Sequence, residues 1–383
     1  MSASASATNA SVDATARAAA PGVTGLATFV PEGRMTSAEV AAASGLPEWV
    51  VRDKLGLHTR VVAGPGDQPT AMAVRAAALA LERAGRAPSD VDAVVCITEE
   101  HKEYPVWTAG IKLAFDLGAE RAYAFDVGQK CGTSVLALKL ARDLLVADPE
   151  LQVVLIAGGY RNGDLIDLRD PQVRFMYNLG AGAGALVVER GRGHAIGPAH
   201  VITDGSFSLD VMVPVGGTAE PLTPQNVADY RLQVRDPAGM KLRLERRSMQ
   251  HFATVVERAV AKAGATMDEV AYLAMLHVKP SAHAALLKTL GIPPERSIYL
   301  ADYGHLGQVD QVLSLELAAR AGTLRPGDLV VLVAAGVGYV WNAITLRWAG
   351  PGTAGEALEA AGAAAATSDE TASAPPEPVG ATP

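Results

Sequence analysis

The sequence predicts an α/β protein built from two copies of one β-α-β-α-β-β unit. Three observations carry that expectation. The same series of signals occurs twice. A helix ends at Ala84-Gly85, or at Ala263-Gly264, and Asp90-Val91, or Glu269-Val270, opens a largely apolar run. Leu117-Gly118, or Leu290-Gly291, follows, with Glu120-Arg121, or Glu295-Arg296, close behind. Self-similarity over such a length marks a duplicated architecture. Second, residues 93–97 and 153–157 are apolar throughout rather than alternating, as in parallel strands covered on both faces. Third, Cys131 in one half and the turn Tyr303-Gly304-His305-Leu306-Gly307-Gln308-Val309-Asp310 in the other hold matching places.

In chain order, an Ala-rich helix ends at Gly85 and a strand covers 91–98. A short strand over 122–127 leads to Cys131, a helix over 132–146 follows, and then a strand from 153. Gly180-Ala181-Gly182-Ala183-Gly184-Ala185 leads into a strand over 186–189. A phosphate loop needs a helix there, so close backbone packing is the better reading. The second half repeats the order: strand 270–277, strand 298–301, His305, helix 309–321. Pro326-Gly327-Asp328 turns the chain into a strand over 329–334, and 339–348 returns beside it. The halves are expected at 21–190 and 191–350. Residues 1–20 and 351–383 are low-complexity stretches read as disordered tails. Extra segments at 34–62, 99–116, 160–178 and 205–250 are expected to build the entrance to a site.

Composition removes several function classes. The 383 residues suffice for a large core, and with 49% hydrophobic and 19% charged residues the chain reads as globular. A net charge of -8 with no Lys/Arg block argues against nucleic acid. Two cysteines, neither in a C-x-x-C, argue against a disulfide framework or a structural zinc, and fit a reducing cytoplasm. No uncharged apolar run is long enough to span a bilayer. The first twenty residues lack the basic start and apolar middle of a signal peptide.

Cys131 is the candidate nucleophile. It lies between a strand end and a helix start, flanked by Lys130 and Gly132. A helix N-terminus there is expected to lower the thiol pKa. A buried structural cysteine is the commoner fate of this residue type, and Cys96, inside an apolar strand, fits that fate. His305 stands in a Gly-His-x-Gly turn before a helix, with Asp310 in the expected first helical turn. Asp310 either orients the imidazole or only complements the helix dipole; the residues leave both open. His277 ends a strand, where open α/β sheets bind ligands. Gly336-Val337-Gly338-Tyr339-Val340-Trp341 follows a strand and could set a backbone N–H beside Cys131, completing an oxyanion hole with the Cys131 N–H.

These motifs resemble the thiolase superfamily, and within it the ketoacyl-acyl-carrier-protein synthase III group. The likeness extends over residues 23–348. It rests on Glu48-Trp49-Val50-Val51 with Gly56-Leu57-His58-Thr59-Arg60, on Ala124-Phe125-Asp126-Val127 before Cys131, and on the glycines of 180–185. The Tyr303-Gly304 turn and Gly336-x-Gly338-x-x-Trp341 complete it. The resemblance implies a thiolase fold in five layers, α-β-α-β-α, and a homodimer. It implies a tunnel for the pantetheine arm of coenzyme A or a carrier protein, and no permanently bound cofactor. It makes Cys131 the acylated residue and Gly338 the second oxyanion donor, and by analogy puts Trp49 and Arg52 at the tunnel mouth.

One departure bears on function. Condensing members carry Asn where this chain has His305, and that Asn works with the strand-end His, here His277, to stabilise an enolate. A His backed by Asp310 can instead take a proton from a hydroxyl or amine. The pattern resembles the synthase-III-like acyltransferases of antibiotic pathways, as does Glu103-Tyr104-Pro105-Val106-Trp107. The expected function is therefore transfer of an acyl or aroyl group from an acyl-carrier protein, a polyketide synthase carrier domain or coenzyme A. It passes through acyl-Cys131 onto a small sugar or amine acceptor. Cys131, His305, Asp310 and His277 are the expected catalytic residues, and Glu99, His101, Tyr104 and Trp107 are expected to line the cleft. The alternatives are decarboxylative condensation or polyketide starter-unit selection, a hydroxymethylglutaryl-type condensation using Glu99, and a silent partner in a synthase complex. No short-range ligand spacing suggests a metal.

Overall fold

The computed structural model describes residues 20–349. The expected tails, 1–20 and 351–383, lie outside the described residues apart from Ala20. The first half supplies strands β1 (Gly22–Phe29), β2 (Ala93–Cys96), β3 (Tyr123–Asp126), β4 (Val153–Tyr160) and β5 (Gly182–Glu189). The second supplies β6 (His194–Thr203), β7 (Val270–Met275), β8 (Leu329–Gly336) and β9 (Val340–Arg347). They form one sheet in the order β7-β8-β9-β6-β1-β5-β4-β2-β3.

The duplication is visible in the pairing. Within the first half β1–β5 and β5–β4 are antiparallel and β4–β2 is parallel. In the second half β6–β9 and β9–β8 are antiparallel and β8–β7 is parallel. The halves meet where Gly22 pairs with Ala195 and Val23 with His194. The symmetry breaks at the fifth strand. β3 pairs with β2, but the expected strand at 298–301 forms no ladder. Side chains take the place of ladder bonds there: the Ser297 hydroxyl donates to Leu273 O (2.8 Å), and Ile298 N–H donates to the Tyr272 hydroxyl (3.3 Å). Ala301 O is drawn away to the N–H groups of His58 and Thr59.

The six main helices are α1 (Pro69–Ala84), α2 (Ala109–Leu117), α3 (Thr133–Ala147), α4 (Pro237–Lys262), α5 (Pro280–Leu290) and α6 (Asp310–Arg320). α1 has Pro69 in its first turn, where a missing N–H costs nothing, and ends at Gly85 in the left-handed conformation. Its alanines 73, 76, 77 and 80 pack with α2 residues against Ala27, Val94 and Val187. α3 and α6 lie between the halves. Val135, Leu138, Val312 and Leu315 fill the space between Leu26, Ile156 and Leu186 on one side and Tyr272, Leu332 and Ile344 on the other. α4 and α5 cover the second half from outside through Phe252, Val256 and Leu286. The outcome is five layers, α-β-α-β-α, the thiolase fold.

The glycine-rich segment is not a lead-in to its strand: β5 begins at Gly182. A Cβ there would lie 2.4 Å from Leu306 Cδ2, so glycine admits the turn before α6 against the sheet. The extra segment expected at 205–250 ends early, because α4 starts at Pro237, capped by Asp236. A buried ionic cluster ties the layers together. Glu316 on α6 accepts from Arg83 of α1 (2.8 Å), from Arg320 (2.6 Å), and from Thr28 N–H (2.8 Å) and hydroxyl (2.5 Å) on β1. No helix among the described residues is long and apolar enough to cross a membrane.

Candidate active site

Two matched turns meet at the centre of the molecule. Lys130–Gly132 forms a short 3-10 turn before α3, and Gly307–Val309 forms one before α6. They pack so that His305 Nε2 lies 3.1 Å from Cys131 Sγ. Gly304 and Gly307 both have positive φ, 74° and 60°. A Cβ at Gly304 would meet Asn178 O at 2.5 Å, and one at Gly307 would meet the Tyr160 ring at 2.3 Å. The Gly-His-x-Gly spacing is therefore what this turn requires. The His305 backbone is clamped between Asn178 O (2.8 Å) and Gly180 N–H (2.9 Å). Gln308, wholly buried, donates to Ile97 O (2.7 Å) and Gly159 O (3.1 Å) at the ends of β2 and β4.

Asp310 is fully buried and accepts three hydrogen bonds. His305 Nδ1–H (2.5 Å) and the His277 backbone N–H (2.7 Å) share Oδ2, and Leu306 N–H (2.7 Å) binds Oδ1. Burial alone would lower the His305 pKa; the Asp310 carboxylate and the Cys131 sulfur reverse this and hold it well above the ordinary value. Cys131 itself departs from the sequence expectation. It sits in the 3-10 turn ahead of α3, 8% exposed, and burial pushes its thiol up, with His305 opposing. The helix start does not outweigh burial, so a stable thiolate depends on the imidazolium beside it. Cys96 is pushed up to about 11 by burial and its Sγ lies 3.3 Å from the Thr98 hydroxyl.

His277 is buried next to this line but does not offer it a ring nitrogen. Nε2–H donates to Gly56 O (3.1 Å), and Nδ1 accepts from Asn178 Nδ2 (2.7 Å). Burial lowers its pKa to about 4, so the ring is neutral. Both ring nitrogens of His277 are thus engaged by protein partners, and its backbone N–H steadies Asp310.

The expected cleft residues separate. Glu99 is 5% exposed and close enough to His305 for the charges to interact; His101 is half-buried. Tyr104 is 64% exposed and meets Trp107 edge-on at 5.5 Å, while Trp107 packs on the outer core of the first half. Glu103, beside Tyr104, accepts from the Thr70 N–H and hydroxyl at the start of α1. Trp49 and Arg52 are exposed, and Arg52 donates to Asp53 (2.9 Å). They sit at the outer end of a segment whose inner end, Gly56, bonds His277. Gly338 lies in the turn between β8 and β9 with φ 112°. The end of β8 abuts the Cys131 turn: a Cβ at Gly336 would meet Gln129 O at 2.6 Å. Among the described residues no group of three or more His, Cys, Asp or Glu could hold a metal ion.

Sequence reasoning missed Asn342, Asn162 and the role of Gln308. Asn342 donates to Gly132 O (2.8 Å) and Gln129 Oε1 (2.7 Å), fixing the nucleophile's turn. A lone amide inside the apolar strand Val340–Arg347 was the available signal. Lys130 has φ 52°, a strained value for a side chain of its size, and is salt-bridged to Glu100.

Comparison with known proteins identifies the setting. The model of 3-oxoacyl-[acyl-carrier-protein (ACP)] synthase III matches residues 125–205, and that of its C-terminal part matches 260–348. A β-ketoacyl-[acyl-carrier-protein] synthase III of Streptomyces coelicolor is 30% identical over 330 residues, covering 85% of this chain and 96% of the relative. The chain belongs to the synthase III family of the thiolase superfamily. As a family member it is an acyl-transferring enzyme. The Rhizorhabdus wittichii synthase III is 28% identical over 329 residues, with 85% and 98% covered. The solved synthase III of Thermus thermophilus superposes with TM-score 0.75 at 26% identity, covering 86% of this chain and 99% of that one. All three relatives are named for an acyl-carrier protein, the partner that family enzymes work with.

Proposed function

We propose that this synthase III relative is an acyltransferase that carries an acyl or aroyl group on Cys131 and delivers it to a hydroxyl or amine of a small acceptor, such as a sugar or amine, in secondary metabolism. The observation that carries this reading is the line Cys131–His305–Asp310. In the first half-reaction the Cys131 proton passes to His305 Nε2, and sulfur attacks the thioester carbon of an acyl-carrier protein or acyl-coenzyme A. A C–S bond forms to Cys131, the donor's C–S bond breaks, and the departing thiolate takes the proton from His305. In the second, His305 Nε2 takes the acceptor's proton while the acceptor oxygen or nitrogen bonds to the acyl carbon. The Cys131 C–S bond breaks and sulfur takes back the proton. The Asp310 carboxylate keeps the imidazole in one tautomer and balances its charge in both steps. Backbone N–H groups of Cys131 and Gly338 are the oxyanion donors in this reading.

A second reading has its own support. The relatives just named are β-ketoacyl synthases, and their names favour carbon–carbon condensation over acyl transfer to a heteroatom. Intact mass separates the two. An adduct on Cys131 that disappears on adding an amine or sugar, with the acyl group recovered on that acceptor, supports transfer. Carbon dioxide release from a malonyl thioester with a ketoacyl product supports condensation and would end the transfer reading.

A homodimer in the cytoplasm belongs to the same proposal. Its support is the open outer edge of β3 beside exposed Ile111, Phe115 and Tyr123, 61%, 81% and 49% accessible. Large apolar side chains along an unpaired strand edge favour a partner there. Sedimentation at micromolar concentration should give twice the 39.6 kDa chain mass; a lone monomer counts against it.

A further inference from the structure

Beside the nucleophile lies a polar pair that neither half-reaction uses. Glu99 follows β2 at 5% exposure, and its charge reaches Cys131. Its Oε2 accepts from Asn162 Nδ2 (3.0 Å). Glu99 Oε1 and Asn162 Oδ1 are buried and have no hydrogen-bond partner. Folded proteins seldom leave such atoms unpaired, and two side by side next to a reactive thiol point to a ligand that completes them. With Glu99 ionised both open positions are acceptors, and a ligand that completes them then brings donors. A malonyl group has only acceptor oxygens, so it does not complete them.

We propose that Glu99 and Asn162 form an acceptor subsite for a protonated amine, so that the acceptor is an amino alcohol or amino sugar bearing an ammonium beside its reacting group. This rests on the acyl-transfer reading above and narrows it. The surrounding charges suit it. Lys130 is paired with Glu100 and His305 with Asp310, and among the described residues no cationic side chain bonds Glu99 Oε1. Burial pushes the Glu99 pKa up to about 7, so an arriving ammonium draws the carboxyl into its charged form.

The test uses two probes of equal shape, 2-amino-1,3-propanediol and glycerol, which differ by one amine in place of a hydroxyl. Calorimetry on the free enzyme should show the amino probe binding at least about tenfold tighter than glycerol, as a charge-assisted hydrogen bond gives. Glu99→Gln keeps the side-chain size and an acceptor oxygen but removes the charge, and should erase that difference. Equal binding of the two probes to the unaltered enzyme, or a preference that survives in Glu99→Gln, overturns the subsite. Acyl-Cys131 enzyme is then isolated and offered each probe. Loss of the adduct to the probes with no Glu99 dependence leaves acyl transfer standing and removes the subsite alone. No adduct loss together with malonyl decarboxylation removes the acyl-transfer reading, and this inference with it.

Discussion

Asp310→Asn is the perturbation that loads most on the proposed chemistry. The carboxylate takes His305 Nδ1–H and His277 N–H on Oδ2 and Leu306 N–H on Oδ1. Asparagine has one acceptor oxygen. If that oxygen replaces Oδ2, its NH2 confronts Leu306 N–H, donor against donor. If it replaces Oδ1, the NH2 confronts His277 N–H and gives a proton to His305 Nδ1. The ring must then carry its own proton on Nε2, the atom facing Cys131. One buried donor is stranded either way, at a cost of about 1–3 kcal/mol in stability. The imidazolium also loses its counter-charge, so transfer should fall by about 10²–10⁴, the usual worth of a general base. The assay is single-turnover decay of isolated acyl-Cys131 enzyme with an amino-alcohol panel, followed by mass, with a melting curve to report the fold. Acyl-enzyme should accumulate. The pH dependence gives a second signature. In the parent enzyme Asp310 holds the His305 pKa up, so transfer rises with pH as the neutral base forms. Without the carboxylate that rise moves to lower pH. Transfer within tenfold of the parent, or an unmoved pH limb, would reduce Asp310 to a fastener of the turn.

Three further outcomes follow from the same contacts. An alkylating reagent should modify Cys131 before Cys96, because Cys96 is wholly buried with its thiol pushed up to about 11 and has no imidazole partner; first labelling at Cys96 would contradict this. Glu316→Ala should destabilise by about 3–5 kcal/mol in urea unfolding, since it strands the buried Arg83 guanidinium; a change under 1 kcal/mol would mean the cluster is not coupled to the fold. His194 stacks on Trp348 at 3.6 Å with its pKa lowered by burial to about 4 from 6.5. The unfolded chain therefore binds a proton here that the folded one refuses, so stability falls as pH drops from 6.5 towards 4, by roughly 3 kcal/mol for this group. His277, also lowered to about 4, feeds the same acid limb, so His194→Phe should shrink the limb by the His194 share, and an identical limb in the variant would rule the group out.

Much of the fold could be read from residue order because local signals repeat. The Leu-Gly and Glu-Arg markers, the apolar strands and the Gly-His-x-Gly turn each need only near neighbours in sequence. They located β2, β4, β7 and β8 and the pairing of Cys131 with His305. The strand expected at 298–301 failed because Ser297 and Tyr272 compete for its hydrogen bonds, a tertiary effect that propensity does not carry. The contacts of 99–107 were hidden for a similar reason: nothing in the sequence says that Glu103 accepts from Thr70 at the start of α1, or that Tyr104 is exposed and Glu99 buried. The engaged state of His277 was equally hidden, since its partners Gly56 and Asn178 are remote in sequence and close only in the folded chain. The fully buried Gln308 and Asn342 secure the two reactive turns; Asn342 left a trace as an isolated amide among apolar residues, whereas Gln308, close to Asp310 and Gln311, left none.

The central claim is that His305, backed by Asp310, takes a proton from a heteroatom acceptor rather than supporting a carbanion. The direct measurement compares the parent enzyme with His305→Asn, each loaded with an acyl group on Cys131 and given a malonyl carrier thioester and an amino-alcohol panel together. Intact mass and carbon dioxide release are followed in the same samples. The account predicts that the parent passes its acyl group to oxygen or nitrogen without releasing carbon dioxide. His305→Asn should keep the acyl group on Cys131 and slow transfer by about 10²–10⁴. Carbon dioxide release with a ketoacyl product from the parent enzyme, and no acylated amine or alcohol, would contradict it and make this chain a condensing member of its family.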